Sequence, residues 1–182
     1  LGYGSQAGYA DHVAPEVCNG AGTSIRSDVW ALGMTLYRLL HGMSWCDEDP
    51  SPRTVVSAGG YADTLRWLPH VPKKWRRTIR QMLRDDPGSR YQNASQLISA
   101  LADLPIQPDW ECTLSAGGAT WRRKARGRKH IVEWVRHNDR VHEWKAWSEP
   151  VGAGQKRSLA GSSSKQGLKP TIDGLHRWLC RA

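Results

Sequence analysis

The chain of 182 residues contains no phenylalanine, only three methionines and only four cysteines. The cysteines (Cys18, Cys46, Cys112 and Cys180) lie far apart and form no Cys-x-x-Cys pair, so neither a zinc site nor a dense disulfide framework is predicted. No apolar run approaches the roughly 20 residues that a membrane span needs, and no signal peptide is visible. We therefore expect a cytoplasmic protein with no metal site and no membrane partner.

The first residue of the chain is Leu1, and the first methionine is Met34. An open reading frame does not normally start in this way. We therefore expect either that an upstream part has been removed or that the gene is incomplete.

Positive charge is unevenly distributed along the chain. The formal net charge is +9, but residues 1–107 hold 11 Lys and Arg against 10 Asp and Glu, whereas residues 108–182 hold 15 against 7. A proline-containing linker separates the two segments. We therefore expect one unit over residues 1–104, a linker over 105–109, and a basic, tryptophan-rich accessory domain over 110–182.

A strongly apolar helix is predicted to begin near Ser27. Its apolar residues point to all sides, which is typical of a helix surrounded by other elements. They are Val29, Trp30, Leu32, Met34, Leu36, Tyr37, Leu39 and Leu40. Ser27 and Asp28 suit a helix N-terminus, and Gly42 suits the position just past the C-terminus. We expect a buried core helix on which the rest of this unit packs.

Three short motifs follow one another in the first unit. They are Ala14-Pro15-Glu16, then Asp28-Val29-Trp30-Ala31-Leu32-Gly33, then Asp86-Pro87-Gly88-Ser89-Arg90. In this order, with one long helix between them, they resemble the last third of a eukaryotic-like protein kinase domain of the serine/threonine type. The resemblance covers about residues 8–104. It implies a mainly α fragment of the kinase C-lobe, with the end of the activation segment and about four helices. From the residue patterns of the rest of the chain we expect a small α+β domain with an antiparallel sheet to follow.

The resemblance also implies structural roles for single residues. In the family, the glutamate of the first motif pairs with the arginine of the third, so Glu16 and Arg90 should form a buried ion pair. Breaking one partner of such a pair costs roughly 3–5 kcal/mol. The structural motif residues implied in this way are Ala14, Pro15, Glu16, Asp28, Trp30, Gly33 and Arg90.

The loop that faces the protein substrate is implied to include Gly8 and Tyr9. Kinases for serine and threonine usually carry a threonine where this chain has Tyr9, and Gly4-Ser5 is the alternative equivalent if the loop is longer. The type of phosphoacceptor therefore stays open.

The chain lacks the groups that perform phosphoryl transfer. The reaction needs a lysine on the phosphates, acids on magnesium, and an aspartate at the substrate hydroxyl. In the family these groups lie upstream of the activation segment, and their motifs do not occur in these residues. We therefore expect no catalytic residue in this chain. ATP and Mg²⁺ are expected only for a parent kinase, whose partners would be the missing N-terminal portion and a protein substrate.

Asp28 has a partner in the family that this sequence does not contain. There, the equivalent aspartate accepts hydrogen bonds from the backbone of the catalytic loop. Without that loop, we expect the core helix to expose an apolar face that binds hydrophobic dyes.

The last third of the chain is predicted to form a small sheet that is covered by a helix. A hairpin is predicted over residues 130–136 and 141–147, with two further strands over 110–114 and 119–124. Residues 152–169 are rich in Gly, Ser and Lys and are predicted to form a mobile loop. A closing helix is predicted over 171–181.

A basic run in this segment holds six cations within eight positions. They are Arg122, Arg123, Lys124, Arg126, Arg128 and Lys129. With tryptophans nearby, they are candidates for contact with phosphate or nucleic acid. The alternative is a solubilising surface or a contact with a protein partner.

Two hypotheses for function follow. The first is the C-terminal portion of a serine/threonine protein kinase, inactive on its own. The alternative is a non-catalytic, kinase-like scaffold whose basic C-terminal domain binds a partner or nucleic acid. The coding sequence upstream of Leu1 distinguishes the two, because only an enzyme needs the lysine, catalytic-loop and magnesium-site motifs.

Overall fold

A computed structural model of the protein describes residues 10–42, 46, 55, 59–106, 109–162 and 164–181. The chain divides into two compact units, residues 1–105 and residues 106–182. Within the described ranges there are six α-helices and one five-stranded antiparallel sheet, so that 41% of the residues are helical and 24% lie in strands. The prediction of a mainly α fold is therefore wrong, because a complete sheet forms most of the second unit.

The first unit is helical over its described part. Its α-helices are α1 (Pro15–Cys18), α2 (Ile25–His41), α3 (Tyr61–Thr64), α4 (Lys73–Met82) and α5 (Ala94–Ala102). Two 3-10 turns, Ala10–His12 and Pro87–Ser89, precede α1 and α5.

Helix α2 begins earlier than predicted, because Ser24 rather than Ser27 is its N-cap. The Ser24 hydroxyl accepts from the Ser27 amide, and the Ser27 hydroxyl accepts from the Ser24 amide at 2.8 Å. This reciprocal capping box satisfies amide groups that would otherwise lack partners at the helix start. Gly42 ends the helix with φ of +79°, a conformation that glycine adopts at little cost.

Helices α2 and α4 pack closely at one glycine. A Cβ atom on Gly33 would lie 2.9 Å from Cβ of Met82 and 3.0 Å from Cδ2 of Leu83. Any larger residue at position 33 would therefore force the two helices apart. The buried core around this contact includes Trp30, Met34, Tyr37, Tyr61, Leu68, Val71, Ile79, Met82 and Leu83.

The second unit is an antiparallel meander with strand order β1-β2-β3-β4-β5, followed by one helix. The strands are β1 (Glu111–Ser115), β2 (Gly118–Ala125), β3 (Arg128–Arg136), β4 (His142–Pro150) and β5 (Arg157–Gly161), and the helix is α6 (Leu168–Leu179).

The segment predicted as a mobile loop contains β5 and the first two residues of α6. Strand β5 pairs with β4 through Ala160 opposite Ala146 and Arg157 opposite Ser148. The prediction of a loop over 152–169 is wrong because an edge strand draws its stability from backbone pairing. Its side chains are almost all exposed, so no alternation of apolar residues reveals it in the sequence.

One face of the sheet forms the core of the second unit together with α6. Trp121 and Val132 on the sheet and Leu175 and Leu179 on the helix are fully buried. The Trp110 indole N–H donates to the Leu179 carbonyl at 2.9 Å, which holds the end of the helix against the first strand. Trp134 and Trp144 are also buried, and large aromatic side chains of this kind let so small a unit bury enough apolar area.

Membrane-spanning helices are distinguished by their length and apolar composition. Among the helices in the described part of the chain, none has the length and apolar character that crossing a bilayer requires.

The stability of the protein should depend on the protonation of His70. Burial above all, and then the nearby His41 and Arg76, lower the pKa of His70 from 6.5 to about 4. Below pH 6.5 the unfolded chain binds a proton that the folded chain does not bind until about pH 4. Stability is therefore lost as the pH falls from about 6.5 to about 4, by up to roughly 3 kcal/mol.

Urea unfolding at pH 7.5 and pH 4 measures this effect. Between these two pH values, His70→Leu should lose up to roughly 3 kcal/mol less stability than the original chain does. An unchanged difference between the two pH values in the variant would assign the acid sensitivity to other groups.

Candidate functional site

The guanidinium of Arg90 is the most completely bonded group in the described part of the first unit. Its side chain has no exposed surface. One Nη donates to Glu16 Oε1 at 2.8 Å and to the Arg26 carbonyl at 2.9 Å, and the other donates to Glu16 Oε2 at 2.9 Å and to the Asp85 carbonyl at 3.2 Å. Nε donates to the Arg84 carbonyl at 2.7 Å. All five guanidinium N–H groups therefore have an acceptor.

These five acceptors come from three separate parts of the chain. Glu16 lies in α1, Arg26 lies in the first turn of α2, and Arg84 and Asp85 follow α4. Because the pairing with Glu16 is bidentate, it fixes orientation as well as distance. The third motif therefore holds the first motif against the helices.

Trp30 forms the other side of this site. The Arg90 guanidinium lies 5.0 Å from the centroid of the Trp30 ring, within the range of cation–π attraction. The indole N–H of Trp30 donates to the Asp11 carbonyl at 3.3 Å, and the Asp11 carboxylate pairs with Arg38 at 2.8 Å. The turn before α1 is thus also attached to α2. No sequence motif pointed to the pair of Asp11 and Arg38.

The remaining motif residues have identifiable places. Ala14 is buried, and its carbonyl accepts from the amides of Val17 and Cys18, while Pro15 is the first residue of α1. Gly8 and Tyr9, the residues implied for the substrate-side loop, lie outside the described residues.

One side of α2 is open, which contradicts the expectation of a helix buried on every side and agrees with the expectation of an exposed apolar face where a catalytic loop is absent. Five exposed residues follow one another at helical spacing along it, and we call them the open face of α2: Ile25, Asp28, Leu32, Thr35 and Leu39. Ile25 is 57% exposed, Leu32 36% and Leu39 76%. Asp28 is exposed with these apolar side chains on the same face. The buried side of the helix is set by contacts with α4, which the periodicity alone could not reveal.

The basic run of the second unit separates into two groups. Arg123 stacks on Trp110 with a distance of 4.6 Å to the ring centroid, and Arg128 donates to Ser148 Oγ at 2.9 Å and to the Gln155 carbonyl at 3.0 Å. These two cations have structural partners. The other four are exposed or lie at the hairpin turn: Arg122, Lys124, Arg126 and Lys129.

Two observations limit the chemistry of the described residues. Within the ranges that the model describes, no group of three or more His, Cys, Asp or Glu side chains could hold a metal ion. Burial raises the pKa of the Cys112 thiol to about 12, so this thiol stays protonated and is a poor nucleophile.

Over about half of its length the chain is similar to curated kinase-related proteins. It is 33% identical over 104 residues to Tribbles homolog 1 from Mus musculus, covering 54% of this chain and 27% of the relative. It is 28% identical over 108 residues to the probable serine/threonine-protein kinase CPE1738 from Clostridium perfringens, covering 58% of this chain and 16% of the relative. It is 36% identical over 86 residues to serine/threonine-protein kinase srk1 from Schizosaccharomyces pombe, covering 46% of this chain and 15% of the relative.

The chain therefore contains a kinase-like region. It spans only between 15% and 27% of the length of these three relatives. No protein-family model and no solved structure matches the chain.

Removing the Arg90 side chain should strongly destabilise the first unit. We expect Arg90→Met to lower the free energy of unfolding by about 3–5 kcal/mol, because Glu16 and three carbonyl groups lose their donor. We expect Glu16→Gln to cost about 1–3 kcal/mol, and the double variant to cost less than the sum. Urea unfolding followed by circular dichroism measures all three.

The exposed pair of Arg84 and Asp63 provides the matched control. Its atoms lie 3.5 Å apart, and the side chains are 50% and 63% exposed. Arg84→Met should cost less than about 1 kcal/mol, because water already screens this pair. Equal losses in Arg84→Met and Arg90→Met would show that the buried network has no special role.

Proposed function

We propose that this chain is the C-terminal portion of a serine/threonine protein kinase, with the first unit as the substrate-side part of its catalytic lobe. The observation that carries the proposal is the bidentate pairing of Arg90 with Glu16. This contact joins the first and third of three motifs whose order resembles that of protein kinases. The similarity to serine/threonine-protein kinases from Clostridium perfringens and Schizosaccharomyces pombe supports the same family.

In this proposal the chain contributes positioning, and the chemistry belongs to the upstream portion of the parent. That portion would bind ATP and Mg²⁺ and transfer the γ-phosphoryl group to a protein serine or threonine. The segment ending at Glu16, with Gly8 and Tyr9 before it, would lie beside the protein substrate. None of the four cysteines forms a disulfide in the described part of the chain, which fits a reducing cytoplasm as the place of this activity.

The open face of α2 is the proposed contact for the upstream portion. The Asp28 carboxylate offers acceptors for backbone N–H groups of a catalytic loop, while Leu32 and Leu39 offer apolar surface. A carboxylate and two leucines on one exposed helix face would be stabilised by a covering segment that supplies both donors and apolar contact.

The intact protein encoded by the gene, with whatever coding sequence precedes Leu1, tests this function. We expect that sequence to hold the lysine, catalytic-loop and magnesium-site motifs, and the intact protein to transfer labelled phosphate from ATP to casein. The chain of 182 residues should transfer none. Missing motifs, or a folded intact protein without transfer, would contradict the proposal and favour the non-catalytic scaffold.

Asp28→Asn separates the proposed role of this residue from a role in stability. In the 182-residue chain Asp28 is exposed, so its substitution should change stability by less than about 1 kcal/mol. In the intact protein we expect phosphoryl transfer to fall by about tenfold or more, because the catalytic loop loses a charged acceptor. Asp173→Asn, an exposed substitution on α6 with the same change of charge, is the matched control and should leave transfer unchanged.

A further inference from the structure

Positive charge collects at one end of the sheet in the second unit. We call this surface the basic sheet end and define it by Arg122, Lys124, Arg126, Lys129 and Lys156. None of the five has a hydrogen bond or an ion pair recorded among the described residues, whereas Arg123 and Arg128 in the same run are engaged. Arg122, Lys124, Arg126 and Lys129 are therefore available to a ligand, whereas Lys156 lies over the Trp147 ring.

The strand register places three of these cations on one face. Lys124 of β2 lies opposite Lys129 of β3, and Arg122 precedes Lys124 by two residues on the same side of the strand. This is the face opposite to the one that packs against α6, because Trp121 and Val132 point to the other side. Arg126 lies at the hairpin turn beside them.

Two local features of this hairpin are unfavourable for folding. Like charges directly opposite each other, as at Lys124 and Lys129, repel. Arg126 has φ of +49° and Gly127 has φ of +69°, a turn conformation that prefers Asn-Gly. Local conflicts of this kind concentrate at functional sites, where a ligand offsets them.

An aromatic side chain lies in the same face. Trp147 of β4 is opposite Ile131, which is opposite Arg122, so the three form one row across the sheet. Trp147 is half-buried, and Nζ of Lys156 lies 3.9 Å from its ring centroid. Two acids lie opposite cations of this surface. Glu149 is opposite Lys129 and accepts from the Trp147 indole N–H at 2.9 Å, and Glu111 of β1 is opposite Arg122.

We propose that the basic sheet end binds single-stranded nucleic acid. The phosphates would contact Arg122, Lys124, Arg126 and Lys129, and a base would stack on Trp147 in place of Lys156. Cations along a strand with an aromatic side chain beside them are the combination that proteins use to bind single strands. This inference is independent of the proposed kinase function, since it uses only the second unit.

The shape of this end favours a single strand over the groove of a duplex. A two-stranded ribbon enters the major groove when it protrudes from its sheet. Here Arg128, next to the turn, still pairs with Pro150 of β4, and the Val151 amide donates to the Gly127 carbonyl at 3.3 Å. The β2–β3 hairpin therefore does not extend beyond the end of β4, and it forms part of a continuous sheet surface.

Fluorescence anisotropy with the whole chain and a labelled oligothymidylate of about 20 nucleotides tests this proposal. With four phosphate contacts, the slope of log affinity against log salt should be about −3 between about 50 and 200 mM. Lys124→Ala/Lys129→Ala should weaken binding by about tenfold and reduce the slope by about 1.4. The matched control Arg140→Ala/Lys169→Ala removes two exposed cations elsewhere in the unit and should change affinity by less than about twofold.

Three further variants distinguish a binding site from a structural hairpin. Arg126→Asn should raise the melting temperature by about 2 °C, because Asn suits the turn, and yet weaken binding about threefold. Glu149→Gln should strengthen binding about twofold, because it removes the acid opposite Lys129. Trp147→Leu, which keeps apolar volume, should weaken binding about tenfold through lost stacking.

Three outcomes would overturn the proposal. The first is a loss of affinity in Arg140→Ala/Lys169→Ala as large as in Lys124→Ala/Lys129→Ala. The second is equal affinity for a duplex of the same length. The third is tighter binding to vesicles of phosphatidylserine and phosphatidylcholine with no effect of Trp147→Leu, which would assign the surface to membranes. Weaker binding to the duplex and to the vesicles than to the oligothymidylate supports the proposal.

Discussion

The buried guanidinium of Arg90 is the constraint on which the first unit depends. A buried charge is tolerated only when it is paired and its hydrogen-bonding groups are satisfied, and Arg90 meets both conditions with five donors and five acceptors. Because the acceptors lie in three segments distant in sequence, satisfying one side chain requires all three to be in place. The contact therefore requires α1, the first turn of α2 and the residues after α4 to meet in the folded unit.

The two sides of α2 have different tasks. On one side, Gly33 lets the helix approach Met82 and Leu83 closely, which gives the unit its core. On the other side, Asp28, Leu32 and Leu39 remain exposed. The same helix thus supports a stable unit and presents a surface whose mixture of charge and apolar groups suits a covering segment. The second unit divides its sheet likewise, into a face packed under α6 and a face with free cations.

Predictions from the sequence were most successful where a residue has a specific local role. Gly42 was predicted to lie just past the C-terminus of the core helix, and it ends α2 with φ of +79°. Features that depend on tertiary contact were not predicted from the sequence. Strand β5 is held by pairing with β4, the pair of Asp11 and Arg38 joins residues far apart in sequence, and the exposure of Leu39 depends on where α4 packs. None of these has a periodic or compositional signal. Of the basic run, the sequence could not separate engaged Arg123 and Arg128 from the free cations.

Arg90 makes α1, the start of α2 and the end of α4 one cooperative structure. Native-state hydrogen exchange tests this through the amides of Val17 and Cys18 in α1, Asp28 in α2 and Leu83 after α4. We expect similar opening free energies for all four amides, and a selective fall for Val17 and Cys18 in Arg90→Met. Free exchange of Val17 and Cys18 in the original chain, or no change in the variant, would contradict it.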